Sequence, residues 1–529
     1  MGYSAILFWT LSRIWQSWSV DAGSAAAVVP AERRGDRVER IVAIVSICLL
    51  IMTRLVPFLR FGEAPLGYDT GFYVGSIKSL DQPNTPASSA LYLALTPLYA
   101  VGLPAAFLYH FFHVCTQLLL TGSLYFLLAS FAVPFRRRLA VGVIALFALS
   151  AVQFLGYWWA FTQQMLGMGF LLITIALFMR RSYVAPLFAL MTFLIHTPTG
   201  AILMLALALF YFVYGIQLLG RRRYVDYRAN VMFLVGALCV PVAFFVKRVD
   251  IMNTVADVWG TYSVLLRHVP AERLLEYRGS FVDSSTFRLL VLGFVPFSLF
   301  SVLHPSVWMR QRVEKSFFYQ YLLLLYGALL VLLVLTFAPV IYQSRFSIIL
   351  DLVLLIFAVP TLLLLVEHGV QDSRGRPLLA SVLAVLVLGM GLRVHRQQPM
   401  LSPRELQEIQ QIASVVEPTA GVLTTDSYYG PWLWGYFRWS SMSPGYLGDA
   451  WNYATWDRFW NGPSDEERLR LLGSRDHPPP PMYLYIGERQ PLHAPYVQFI
   501  RSSSAFTQIL PHLWKFTGDP RGKTVPSMP

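Results

Sequence analysis

Long, nearly uncharged apolar runs recur along this chain, and they restrict what it can fold into more than any other feature. Crossing a hydrocarbon layer of about 30 Å takes roughly 20 apolar residues in a helix, because no water is present to satisfy the backbone polar groups. Runs of this kind lie near residues 41–59, 104–132, 139–155, 164–180, 183–197, 198–219, 229–246, 287–304, 317–340, 345–366 and 377–393. The sequence thus predicts a polytopic α-helical membrane protein with eleven spans. Composition agrees: 56% of residues are hydrophobic and 13% charged, whereas a soluble chain carries about 25% charged residues. A large cytosolic enzyme and a disordered chain are excluded. The three cysteines, Cys48, Cys115 and Cys239, all fall in apolar runs, which excludes a disulfide scaffold or a Cys zinc site.

The net charge of +13 reflects short arginine clusters between the runs and calls for no nucleic acid. Arg33 to Arg40, Arg136 to Arg138, Arg180 with Arg181, Arg221 to Arg223, Arg310 to Lys315, and Arg374 with Arg376 fall in loops of one parity. By the positive-inside rule these loops are cytoplasmic. Residues 1–40 then form a cytoplasmic segment, with Trp9, Trp15 and Trp18 suited to an interfacial helix rather than a signal peptide. Residues 41–393 form the transmembrane domain, and residues 394–529 lie outside the cell membrane. Two outer loops are long, 60–103 and 247–286, and Leu91 to Val101 in the first suits an interfacial or re-entrant helix. From residue 394 the sequence predicts a small α/β domain. Ser402-Pro-Arg-Glu405 is a capping-box helix start, Gly421 to Thr425 and Met482 to Ile486 read as strands, and Phe506 to Phe516 as a hairpin.

Candidate chemistry gathers in the outer segments. Asp69 and Glu63 sit between aromatics in the first outer loop, where poor solvation makes a carboxylate a stronger base or a seeker of a cation. Asp69 also suits a loop cap beside Gly67 and Gly71. Arg345, two residues after Gln343, stands where the tenth span begins on the outer side, a place for a lipid-linked phosphate or a headgroup. His196, in a tight turn, suits donation to a phosphate or capping of that turn, and Gln163 lies beside the Trp158-Trp159 pair. Asp351 reads as an interior hydrogen-bond partner. His110 and His113 have metal-ligand spacing but read better as polar residues in helix packing. In the C-terminal domain Asp426, Tyr428, Tyr429, Trp432 and Trp434 suit either a stacking platform for a sugar or peptide, or a docking surface.

The layout from residue 41 onward resembles the GT-C class of membrane glycosyltransferases: an acidic residue in a long first outer loop, many spans, an arginine at a late outer helix end, and a terminal α/β domain. Asp426-Ser-Tyr-Tyr-Gly430 with Trp432 is similar to a degenerate Trp-Trp-Asp-Tyr-Gly motif of oligosaccharyltransferase catalytic subunits, with Thr424 and Thr425 in place of the tryptophans. The resemblance implies a polyprenyl-phosphate sugar donor, Asp69 as catalytic base and Arg345 as the donor-phosphate ligand. The expected activity is inverting transfer of a sugar to a glycan, lipid or protein acceptor at the outer face of the cell inner membrane. A divalent metal remains an open requirement, since no Asp-x-Asp or Asp-x-Glu pair marks the outer loops. The alternatives are a flippase for a lipid-linked glycan and a non-catalytic subunit of a membrane assembly.

Overall fold

A computed structural model of the chain describes residues 32–62, 67, 69–78, 95–131, 136–180, 182–221, 295–299, 301, 323, 325–332, 341–371, 375–417, 419–436, 441–444, 451, 453–473 and 481–518. The expected N-terminal interfacial helix, the 229–246 run, the 247–286 loop and Glu63 lie outside the described residues, as do most of the 287–304 and 317–340 runs. In chain order the helices of the apolar part with bounds among the described residues are α1 (Glu32–Phe61), α2 (Thr70–Lys78), α3 (Thr96–Ala100), α4 (Ala105–Ala129), α5 (Arg136–Leu149), α6 (Ala151–Trp158), α7 (Thr162–Met179), α8 (Ala185–Ile195), α9 (Thr197–Arg221), α10 (Ile341–Gln371) and α11 (Gly375–Arg396).

Five of these, α1, α4, α7, α10 and α11, are long and apolar enough to cross a membrane, and the α5–α6 pair makes a sixth if its 57° bend lies within one span. The bend has a local cause. Ser150 leaves the helical conformation and its side chain accepts the Gln153 N–H, so the chain stops one helix and caps the next. Residues 183–197, expected as a span, hold the 11-residue α8, which reaches only about 16 Å. It stops at His196, which adopts an extended conformation before Pro198. Helix α10 is the hub of the bundle, with 78% of its apolar window buried, whereas α11 lies at the rim with 11% buried. The expected interfacial helix around residues 91–101 is the single short turn of α3 among the described residues.

The C-terminal part is α/β, as its sequence predicts. Its elements are α12 (Pro403–Val415), β1 (Gly421–Thr424), α13 (Gly430–Tyr436), β2 (Ser441–Met442), α14 (Tyr453–Asn461), α15 (Asp465–Gly473), β3 (Met482–Tyr485), α16 (Pro495–Ser502), β4 (Phe506–Leu510) and β5 (Leu513–Phe516). The five strands run in the order β2-β1-β3-β5-β4, with β1 parallel to β2 and β3, and β5 antiparallel to β3 and β4. Strands alternate between two cores: Leu423, Met482 and Leu484 face α14, α15 and α16, while Val422, Tyr483 and Tyr485 face α12 and α13. Both faces are therefore covered. The Ser402 capping box forms as expected, Ser402 Oγ accepting the Glu405 N–H and Glu405 Oε2 accepting the Ser402 N–H, both at 3.1 Å.

Helix α2 joins the two parts. Phe72, Tyr73, Val74 and Ile77 pack with Tyr109 of α4 on one side and Trp434 of α13 on the other. Phe72 and Trp434 stack with ring centroids 4.4 Å apart and planes 12° from parallel. The backbones approach so closely that a Cβ on Gly71 would meet Pro431 and Trp432, and one on Gly435 would meet the Gly71 carbonyl. Only glycine permits this contact.

Candidate functional site

The site begins at the end of α1. Gly67 adopts φ +61°, and a Cβ there would collide with the backbone of Trp158 and Trp159. Gly67 is thus pressed onto the α6–α7 turn, and Asp69 stands directly ahead of α2. The Asp69 carbonyl accepts the Tyr73 N–H at 3.1 Å. Among the described residues its carboxylate meets the guanidinium of Arg345, with Oδ2 3.7 Å from Nη2. The pair is only partly wetted, 17% of the Asp69 side chain and 30% of that of Arg345 being exposed. Burial pushes the Asp69 pKa up from 3.8 to about 6, with Arg345 pulling in the opposite direction.

Arg345 is fixed from α7 and its N-terminal turn. Its guanidinium stands 5.0 Å over the Phe161 ring, and Gln164 Nε2 donates to its backbone carbonyl. Ala160, just before Phe161, is a non-glycine residue at φ +61° and is fully buried. A left-handed conformation costs an L-residue about 1–2 kcal/mol, so the turn that presents Phe161 to Arg345 is strained. His196 lies within electrostatic reach of Arg345 and packs against Gly167 of α7. Its Nδ1 is 2.7 Å from Thr199 Oγ1 and accepts the Thr199 N–H at 3.4 Å. In the tautomer in which Nδ1 accepts, the ring proton sits on Nε2, which can donate to an anion.

Beneath Asp69 a chain of side chains continues into the bundle. Tyr109 O–H donates to Thr162 Oγ1 (2.9 Å), Thr162 O–H to His113 Nδ1 (2.7 Å), and His113 Nε2–H to the Tyr157 carbonyl (2.9 Å). Both nitrogens of His113 are thereby used in helix packing. Among the described residues no three His, Cys, Asp or Glu side chains gather where a metal ion would sit. Asp351 is an interior partner, its Oδ2 accepting Ser150 O–H at 2.8 Å and Gln153 Nε2–H at 2.7 Å.

The aromatic cluster of the C-terminal domain separates by role. Trp434 docks on Phe72, Trp432 and Tyr429 are fully buried in the domain core, and Tyr429 O–H donates to Glu405 at 2.6 Å. Asp426 Oδ1 accepts the Tyr428 N–H at 2.9 Å, forming an Asx turn. Tyr428 reaches the α6–α7 turn, its ring 6.3 Å from Trp159 and capped by the Arg489 guanidinium at 3.9 Å. Gln163 begins α7 half-buried; Gln343 begins α10, and its side chain lies outside the described set.

Arg489 has no signal in its own neighbourhood of the sequence. Arg54 does, as an arginine inside an apolar run. It is 1% exposed, within cation–π distance of Phe154 and Tyr157, and its backbone carbonyl accepts the Tyr157 O–H at 3.0 Å. No protein-family model matches this chain, and no curated protein matches it.

Proposed function

We propose that the protein is a membrane glycosyltransferase of GT-C type that uses a polyprenyl-phosphate sugar donor at the outer face of the cytoplasmic membrane. The observation that carries this reading is the 3.7 Å approach of Asp69 to Arg345, between a helical bundle and an α/β domain. A base of raised pKa beside a fixed guanidinium suits a displacement whose nucleophile must lose a proton and whose leaving group is a phosphate. Asp69 would take the acceptor hydroxyl proton as that oxygen attacks the anomeric carbon. Arg345, with His196 Nε2–H, would hold the departing polyprenyl phosphate. One displacement inverts the anomeric centre. Eleven spans, a cytoplasmic N-terminus and an extracytoplasmic C-terminal domain belong to the same proposal. The acceptor is a glycan, lipid or protein that approaches beside Tyr428 and Arg489.

The test is transfer of label from a panel of radiolabelled polyprenyl-phosphate sugars to a membrane extract. Wild type transfers one of them and Asp69→Asn transfers it at least about a hundredfold more slowly; transfer at comparable rates by both would remove Asp69 from the role.

A second reading, transport of the lipid-linked glycan, is favoured by one observation: the buried Asp351 carboxylate sits against the break between α5 and α6. Under that reading Asp351→Asn stops movement of a fluorescent lipid-linked sugar across proteoliposomes, while Asp69→Asn leaves it intact.

A further inference from the structure

The two ends of the bundle carry different chemistry. Asp69 and Arg345 lie where α4 and α7 begin. Where those helices finish, Tyr125, Ala129, Arg137, Ala140 and Arg180 line a half-open cavity of about 300 Å³. The length of α4 separates the two ends by roughly 37 Å, the full thickness of a hydrocarbon layer.

Arg180 is held at the cavity by uncharged groups. Its Nε donates to Ser130 Oγ at 2.8 Å and its guanidinium stands 4.1 Å over the Phe126 ring. Neighbouring Arg138 is different: Glu39 and Glu367 neutralise it at 2.9 and 3.3 Å, and it does not line the cavity. An apolar track leads away from the cavity along α4. Phe107, Phe111, Leu118 and Tyr125 are exposed at spacings that place them on one face, and Gly122 faces open space between the last two.

We propose that this cavity binds the phosphate headgroup of an anionic phospholipid, with an acyl chain lying on the α4 track. Two guanidinium forks match phosphate oxygens, the Tyr125 ring suits the interface, and a zwitterionic lipid would bring its own cation against the two arginines. The site is in the opposite leaflet from Asp69 and needs no catalytic reading.

Native mass spectrometry of the full chain, released from micelles holding equal phosphatidylglycerol and phosphatidylcholine, tests the proposal. Wild type retains phosphatidylglycerol in preference. Arg137→Gln with Arg180→Gln loses that retention by about fivefold for each arginine, and Arg138→Gln keeps it. If Arg180→Gln does not fold after losing its seat on Phe126, Arg137→Gln alone, at an exposed helix start, gives the single-arginine loss. Equal retention of the two lipids, or undiminished retention in the arginine variants, overturns the proposal. So does displacement by inorganic phosphate as effective as that by short-chain phosphatidylglycerol, which would mark a site for free oxyanions.

Discussion

Asp69 Oδ2 and Arg345 Nη2 stand 3.7 Å apart, although one residue precedes the short α2 and the other lies near the start of the buried α10. The distance is longer than a tight ion pair, and burial outweighs the attraction in setting the Asp69 pKa. Each group thus keeps its partner without being consumed by it.

Under the proposed function, activity should depend on pH with an acid limb near 6, rising as Asp69 loses its proton. Asp69→Asn should cost about 10² to 10⁴ in turnover, the usual worth of a general base. A pH–rate profile of wild type alongside the single-turnover rate of the variant checks both; an acid limb near 4 would show an ordinary carboxylate.

The same carboxylate should oppose folding at neutral pH. Its folded pKa lies above its unfolded one, so the folded state binds the proton more tightly and stability falls as pH rises from about 4 to about 6. Asp69→Asn should then raise the unfolding free energy at pH 7 by on the order of 1–3 kcal/mol. Thermal unfolding in detergent at pH 3 and pH 8 measures this, with the gain present at pH 8 and absent at pH 3.

Arg345→Gln removes the cation that holds the Asp69 pKa down. The acid limb should move above 6 while donor KM rises at least tenfold, the loss expected when a charge-assisted hydrogen bond worth about 1.5–3 kcal/mol is removed. A change in KM with an unmoved limb would separate the two residues.

Gly435→Ala should uncouple the two parts, because its new methyl group would occupy the place of the Gly71 carbonyl. Overpacking of this kind costs about 1–3 kcal/mol. A cysteine pair across the α2–α13 contact should crosslink in wild type and fail to do so in the variant.

Ala160→Gly should stabilise the protein by about 1 kcal/mol, since glycine accepts the left-handed conformation that alanine resists. Chemical denaturation of the two proteins gives the difference. A loss of stability would mean that the Ala160 methyl group, fully buried against α2 and α4, outweighs the strain.

Much of this architecture is legible locally. Ser402 and Glu405 are three residues apart and close their capping box as a property of that spacing, and the alternation of Val422 with Leu423 follows from the two-residue period of a strand. Arg345 at the head of an apolar run and Asp69 in a Gly-rich loop each stand out alone. Their meeting does not, because it depends on how α2, α7 and α10 pack.

Other features were ambiguous for the same reason. Trp434 in a run of aromatics suits a sugar platform as well as a docking face until Phe72 is seen stacked on it. Arg489 belongs to a polar loop after β3, and only the fold of the C-terminal domain sets it over Tyr428. Hydrophobic periodicity and helix-start chemistry act over a few residues, so the sequence by itself determined the apolar helices, the α/β character of the C-terminal part and the types of residue available for chemistry. Contacts between distant segments depend on shape and on where glycines such as Gly71 and Gly435 let backbones touch. Tertiary structure alone therefore decided which acid faces which arginine.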